Sequence, residues 1–178
     1  MLDEIQILAK VRNGDTDAFN GIVEFYQMSI QRYLFRLTGD YALSQDLAQQ
    51  TFIQAYQNLL KTTKTISFKP WLYRIATNNA WQYSRRKRLI NFIHFNSNDT
   101  LPALLTPDCT IDKLAIKEAL LKVPATLRSC LVLHFVEGLK YHEIGETLGI
   151  SDDAVRKRIT RGKQIFKRMY SGDGTGEL

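Results

Sequence analysis

Hydrophobic positions along the chain recur at intervals of three and four residues, and the alternation typical of strands is nearly absent. The longest apolar stripe predicts one buried face along several turns of a single helix. Its members are Phe19, Ile22, Val23, Tyr26, Ile30, Tyr33, Leu34 and Leu37. The pattern therefore predicts an all-α protein.

The same periodicity predicts eight helices, bounded by residues that favour helix ends. Asp15 and Ser151 are suited to begin helices, and Gly39 and Gly149 are suited to end them. In the sixth helix the spacing predicts that Phe135 faces inward with two leucines. The predicted helices cover about residues 2–12, 15–38, 43–60, 70–88, 111–121, 124–137, 141–148 and 152–170.

The periodic pattern fails in the middle of the chain. Residues 91–110 are rich in Asn, Ser, Asp and Pro, and such a long break is unusual inside a compact domain. We therefore expect two small helical domains, residues 1–90 and 111–170, joined by a linker. Scattered apolar residues suggest that the linker lies against a surface. The tail, 171–178, is predicted to be disordered.

Composition narrows the class of protein. The 178 residues are 44% hydrophobic and 24% charged, which excludes a fully disordered chain. The acidic N-terminus does not resemble a signal peptide and no apolar run is long enough to cross a bilayer, so we expect a cytoplasmic protein without membrane insertion. Cys109 and Cys130 cannot form a disulfide framework, and they lack the ligand spacing of a zinc site. No catalytic constellation is visible, so we expect no enzyme activity, metal or other cofactor.

Charge is concentrated in two segments of a chain whose net charge is +6. Residues 61–100 hold 8 basic and 1 acidic residues, and residues 140–170 hold 8 basic and 4 acidic residues. Residues 1–60 are acidic by comparison, with 4 basic and 7 acidic residues. This distribution favours two contact zones for a polyanion and a separate surface for another partner.

The second basic segment has the pattern of a helix-turn-helix. A short helix, Tyr141–Leu148, is followed by Gly149 and then by a helix with a basic outer face. One helix fits the major groove, where basic and hydroxyl side chains contact phosphates and base edges. The alternative is a helical hairpin whose basic face is simply solvated. The residues expected to read duplex DNA are Arg156, Lys157, Thr160 and Arg161.

The first basic segment interleaves aromatic, amide and cationic side chains after Pro70. Single-stranded nucleic acid is bound by this combination, because bases stack on aromatic rings while cations contact the backbone. For Trp71, core packing is the favoured interpretation. For Trp81 and Tyr83, core packing and nucleic-acid binding remain equally open.

Four sequence blocks occur in a fixed order along the chain. The first contains Asn13-Gly14-Asp15, Phe19 and Tyr26, and the second contains Gly39-Asp40, Gln45-Asp46-Leu47-Ala48-Gln49-Gln50-Thr51-Phe52 and Ala55-Tyr56. The third contains Trp71-Leu72-Tyr73-Arg74-Ile75-Ala76, Asn78 and Arg85-Arg86, and the fourth contains Glu137-Gly138-Leu139, Tyr141, Glu143-Ile144, Leu148-Gly149-Ile150, Val155 and Arg158. Over residues 8–170 the chain resembles bacterial RNA polymerase sigma factors of the extracytoplasmic-function class (group 4 of the sigma-70 family), with their region 2 helical bundle and region 4 helix-turn-helix.

The resemblance implies a role in promoter-specific transcription initiation and a set of contacts for each block. Asp46, Gln49, Gln50 and Phe52 would bind core RNA polymerase. The helix after Pro70 would hold the single-stranded −10 element, with one base flipped out of the stack. The −10 candidates are Asn78, Asn79, Gln82, Tyr83, Arg85 and Arg86. The last helix would read the duplex −35 element.

Two departures and one rival interpretation accompany the resemblance. Gln50 replaces an acidic residue of the family pattern, and Gln82 stands where Asp or Asn is common, which implies altered contacts at both positions. The two exposed basic faces and the apolar linker suggest an anti-sigma factor as a further partner. The rival is a stand-alone helix-turn-helix regulator, which would bind duplex DNA tightly without polymerase.

Overall fold

The computed structural model describes residues 4–61, 67–93 and 111–171. Over these ranges the chain forms eight α-helices and no strands, which confirms the all-α prediction. The helices are α1 Glu4–Arg12, α2 Thr16–Thr38, α3 Tyr41–Lys61, α4 Phe68–Ile93, α5 Ile111–Lys122, α6 Ala125–Phe135, α7 Tyr141–Leu148 and α8 Asp152–Tyr170.

The corner between α2 and α3 follows from capping chemistry. Gly39 has φ of 76°, a conformation that glycine adopts without strain, and its N–H donates to the Phe35 carbonyl at 2.8 Å. The Asp40 carboxylate then accepts the Leu43 N–H at 3.0 Å. Because this side chain satisfies a free N–H of the next helix, α3 begins at Tyr41, slightly before the predicted start.

α4 is longer than the sequence pattern predicts. It begins at Phe68, so Pro70 still lies in the first turn, where its missing N–H leaves no hydrogen bond unmade. It ends at Ile93, inside the segment predicted to be a linker. The rest of that linker and the predicted disordered tail lie outside the described residues.

The N-terminal bundle, α1–α4, is organised around the fully buried ring of Tyr33. Its hydroxyl lies 2.6 Å from the Thr77 hydroxyl, which itself donates to the Tyr73 carbonyl at 2.7 Å. Since Thr77 has only one hydroxyl proton, Tyr33 is the donor to Thr77. A buried polar chain therefore ties α2 to α4 within an apolar core.

The C-terminal bundle, α5–α8, is built around α6. Gly162 of α8 lies directly against Leu131, and a Cβ at Gly162 would stand 3.0 Å from the Leu131 Cγ. The prediction that Phe135 faces inward is wrong, because its side chain is 58% exposed at the end of α6. The buried surface of α6 instead centres on Cys130, Leu131 and Leu133, and Phe135, the last residue of the helix, lies beyond it.

The two bundles pack on each other. α4 contacts α7, and α2 contacts α5 and α6. The buried apolar residues form one continuous cluster that includes members of both bundles. Among the helices in the described part of the chain, none is both long and apolar enough to span a bilayer.

Candidate nucleic-acid interface

The helix-turn-helix predicted from the sequence is formed by α7 and α8. Gly149 ends α7 with φ of 67°, and the Ser151 hydroxyl accepts the Ala154 N–H at 3.3 Å to begin α8. A Cβ at Gly145 would stand 2.8 Å from the Ile150 carbonyl oxygen. The turn therefore packs so closely on α7 that only glycine fits at position 145, and this fixes the angle at which α8 leaves the bundle.

All four −35 candidates are exposed on one side of α8. Arg156, Lys157, Thr160 and Arg161 are exposed. The opposite side of α8 is buried through Val155, Ile159 and Gly162. The structure therefore presents these four side chains together on a helix that leans on its bundle by its other face.

The first turn of α8 is acidic. Asp153 lies 3.6 Å from the Arg156 guanidinium, and both side chains are well exposed. An exposed pair of this kind contributes little to stability. Its effect is to reduce the positive potential at the first turn, so the stronger positive field lies over Lys157 and Arg161.

Five of the six −10 candidates are exposed along the middle of α4. Asn78 and Gln82 are separated by one helical turn, and Arg85 extends the same face. Tyr83 is 39% exposed, so its ring is accessible at the surface. Arg86 is also exposed. These side chains form the mixed amide, aromatic and cationic surface that the sequence predicts.

Asn79 is placed differently from the other candidates. It is only 5% exposed, and its Nδ2 donates to the Thr51 hydroxyl of α3 at 3.2 Å. Thr51 in turn donates to the Leu47 carbonyl at 2.7 Å. The Asn79 amide therefore joins α4 to α3 and is not presented to a ligand. The sequence could not separate Asn78 from Asn79, because both are asparagines in one basic segment.

One residue missed by the sequence prediction lies next to the exposed −10 candidates. Arg74 is exposed one turn before Asn78 and continues its face toward the start of α4. The spacing of four residues was the available signal.

The two tryptophans are not part of this exposed face. Trp71 packs against the core. Trp81 is half-buried, and its indole N–H has no hydrogen-bond partner among the described residues.

The polymerase-binding candidates all lie on α3. Asp46, Gln49 and Gln50 are exposed, whereas Phe52 is only 7% exposed. Phe52 and Gln49 line a groove of about 650 Å³ between α2 and α3. Ile53, which is 52% exposed, was not predicted but lies at the rim of the same groove. The groove is apolar at its base and rich in glutamine at its edges.

The thiol of Cys130 is not part of any of these exposed surfaces. It is fully buried in α6, and burial raises its pKa to about 11. His134, one turn away, uses its Nδ1 for a contact of 3.0 Å with the Leu139 carbonyl. Within the described ranges, no group of three or more His, Cys, Asp and Glu side chains is arranged to hold a metal ion. His94 and Cys109 lie outside the described residues.

Two family models match the chain in order. The model of Sigma-70 region 2 matches residues 22–90, and the model of Sigma-70 region 4 matches residues 113–165. The chain is also 30% identical over 175 residues to the ECF RNA polymerase sigma factor SigW of Bacillus subtilis, covering 91% of this chain and 94% of SigW. The chain belongs to the ECF class of RNA polymerase sigma factors. The resemblance inferred from the four sequence blocks is thereby confirmed.

Other relatives and solved structures agree with this assignment. The RNA polymerase sigma-H factor of Pseudomonas aeruginosa is 30% identical over 92% of this chain and 91% of its own length. The sigma factor RpoE of Bartonella quintana, solved with the anti-sigma factor NepR, superposes with a TM-score of 0.74 at 18% identity, over 86% of this chain and 96% of RpoE. CnrH, solved with the cytosolic domain of CnrY, superposes with a TM-score of 0.73 at 21% identity, over 94% of this chain and 97% of CnrH. At these identities the two structures support the fold of an ECF sigma factor.

Proposed function

We propose that this sigma factor gives RNA polymerase its start-site selectivity by binding core enzyme through α3, the −10 element through α4 and the −35 element through α8. The observation that carries the proposal is the exposure of two separate basic helix faces, one within each region matched by the family models. The core enzyme carries out polymerisation, so this chain needs no catalytic group or cofactor of its own. It acts in the cytoplasm, where the polymerase is found.

The two DNA-binding faces differ in ways that suit different forms of DNA. The α8 face carries three cations and a hydroxyl on a helix that projects from a helix-turn-helix, which fits duplex DNA in the major groove. The α4 face combines the amides of Asn78 and Gln82 with the exposed ring of Tyr83, which fits unstacked bases. We therefore assign duplex −35 recognition to α8 and single-stranded −10 recognition to α4, without Asn79.

The direct experiment is transcription in vitro with purified core polymerase. Adding this chain to core enzyme on a library of promoter fragments should produce transcripts from a restricted set of start sites. The free chain should bind the same fragments weakly, because each face alone is small. Tight and specific duplex binding by the free chain, with no change in start-site selection, would instead support a stand-alone regulator.

The α3 assignment is tested by charge reversal. Asp46→Lys should reduce core binding strongly, because it replaces an exposed acidic group in the proposed contact with a cation. Adding Phe52→Ala should deepen the loss by opening the base of the groove, although burial of Phe52 means that this change also lowers stability. Glu24→Lys, an equal change of charge on the exposed surface of α2 outside the groove, is the control. Equal core binding by all three proteins would contradict the assignment.

An anti-sigma factor is part of the proposal. An apolar groove of about 330 Å³, lined by exposed Phe135, Val136 and Ile116, lies where the C-terminal bundle meets the end of α2. A protein that covers this groove would contact both bundles. The test is purification of the chain from its native cells: an inhibitor should co-purify, should be displaced by core polymerase, and should block transcription when added back. Absence of such an inhibitor would contradict this part of the proposal.

A further inference from the structure

The surface between the two bundles is held by hydrogen bonds around one glutamate. Glu137 follows the last turn of α6, and its carboxylate accepts a hydrogen bond from the Tyr73 hydroxyl of α4. Its backbone carbonyl accepts a second hydrogen bond from the Lys69 ammonium at 2.6 Å. One residue of the C-terminal bundle therefore binds two side chains on successive turns of α4.

Further contacts surround this pair. The Thr147 hydroxyl of α7 donates to the Glu143 carbonyl of its own helix at 2.7 Å and lies 3.2 Å from the Pro70 carbonyl. The Arg128 guanidinium of α6 donates to the Leu37 carbonyl at 3.0 Å. On the side of α5, a Cβ at Gly39 would stand 2.7 Å from the Leu121 Cδ1. Side chains of the C-terminal bundle thus reach backbone carbonyls at both α2 and α4, and the Leu121 side chain packs closely on the Gly39 backbone.

Not every buried polar group at this surface has a hydrogen-bond partner, which favours separation of the two bundles. The Nε of Arg128 is buried with no hydrogen-bond partner among the described residues, and burial lowers the pKa of this guanidinium. A buried donor without a partner offsets part of the gain from the other hydrogen bonds. These hydrogen bonds lie beside apolar residues that both bundles contribute to one cluster, and surfaces between domains of one chain generally permit relative motion.

The docked arrangement is too small for the proposed promoter contacts. A compact chain of this length has a radius of gyration of about 16 Å, hence a diameter of about 40 Å. Elements named −10 and −35 are about 25 base pairs apart, which is about 85 Å along duplex DNA at about 3.4 Å per base pair. The two bundles must therefore separate before α4 and α8 occupy both elements of one promoter.

We propose that the free chain is self-inhibited, with its two bundles latched by Glu137 against Lys69 and Tyr73, and that polymerase binds the opened form. A partner that requires the opened form sees its apparent affinity reduced by the fraction of molecules that are open. Removing the latch should therefore increase affinity for core enzyme, although no residue of the proposed core contact is changed. Docking itself is independent of the proposed function, whereas the gain in core affinity rests on it.

The test compares three variants of the full chain. Glu137→Ala removes the carboxylate, and Tyr73→Phe removes only the hydroxyl and leaves the ring in the core. Lys69→Met removes the second donor while keeping an unbranched side chain. Glu146→Ala is the control, because Glu146 is an exposed carboxylate on α7, outside the latch. Circular dichroism must show the same helix content for all proteins before they are compared.

Small-angle X-ray scattering measures docking directly. The unmodified chain and Glu146→Ala should have a radius of gyration near the compact value of about 16 Å, and Glu137→Ala should increase it by about a third or more. Loss of a hydrogen bond to a charged group shifts such an equilibrium at least about tenfold, so core affinity should rise by about tenfold or more in each latch variant.

Each outcome decides a different point. An extended unmodified chain would overturn the docked state, whatever the function. Latch variants that stay compact would overturn the role of Glu137. Variants that open with no gain in core affinity would overturn self-inhibition. Failure of the proposed function would differ from all of these, because the unmodified chain would then neither bind core enzyme nor direct start-site selection.

Discussion

Asn78 and Asn79 are adjacent and chemically identical, yet the structure predicts opposite consequences of replacing each with alanine. Asn79→Ala removes the buried hydrogen bond to Thr51, worth about 1 kcal/mol, and leaves a small cavity between α4 and α3. Thr51 keeps its own hydrogen bond to the Leu47 carbonyl, so no buried donor is orphaned and the loss stays moderate. We expect the free energy of unfolding to fall by about 1–3 kcal/mol and Tm by about 3–10 °C.

Asn78→Ala should leave stability within about 0.5 kcal/mol, because the side chain is exposed and alanine is the better helix former. Its effect should appear in DNA binding, where loss of a base contact costs about 1–3 kcal/mol, or about 5- to 150-fold in affinity. Unfolding is followed by circular dichroism in urea. Binding is followed with polymerase holoenzyme on a forked template whose −10 element is single-stranded. If Asn79→Ala weakened −10 binding at full stability while Asn78→Ala did not, the placement of α4's reading face would be wrong.

Three further predictions concern the helix-turn-helix, the glycines and the buried thiol. Arg161→Ala should weaken promoter binding by about 1–3 kcal/mol at one −35 position if it reads a base edge, and a uniform loss across −35 variants would mark a phosphate contact instead. Gly149→Ala should lower stability by about 1–2 kcal/mol because φ there is 67°, whereas Gly21→Ala, in an open position within α2, should raise it by up to about 1 kcal/mol; urea unfolding with shifts of equal sign would contradict the capping argument. The pKa of Cys130 is raised to about 11 by burial, so the unfolded thiol ionises first as pH rises, and the free energy of unfolding should fall between about pH 9 and 11. Cys130→Ala should remove this part of the pH dependence, and an unchanged slope would show that other groups cause it.

Local chemistry explains why much of the fold follows from the sequence. Gly39, Gly149 and Ser151 end or begin helices through interactions with residues at most four positions away, so their roles are visible in a short segment. The long apolar stripe of α2 is predictable for the same reason, since a period of 3.6 residues is read along one helix. These features set the positions of the helix-turn-helix and its exposed basic face.

Features set by tertiary packing were not predictable in this way. Asn79 is buried because α3 happens to place Thr51 opposite it, and nothing in the neighbouring sequence distinguishes it from Asn78. Phe135 continues an apolar spacing but lies past the edge of its bundle's core. The docking of the two bundles through Glu137 joins residues more than sixty positions apart, and no periodic pattern reports such a contact.

The contact between Gly162 of α8 and Leu131 of α6 has a consequence for promoter choice. α8 is a rigid rod about 28 Å long, and its contact with Leu131 at Gly162 lies about 9 Å along the axis from Arg156. A methyl group at Gly162 would press on Leu131 and tilt α8. The displacement of a side chain on α8 would increase with its distance from this contact. Neighbouring base pairs are separated by only about 3.4 Å, so a small pivot changes which of them a side chain meets. If α8 reads the −35 element as proposed, a substitution at Gly162 would therefore change promoter preference without altering any of the side chains proposed to contact DNA.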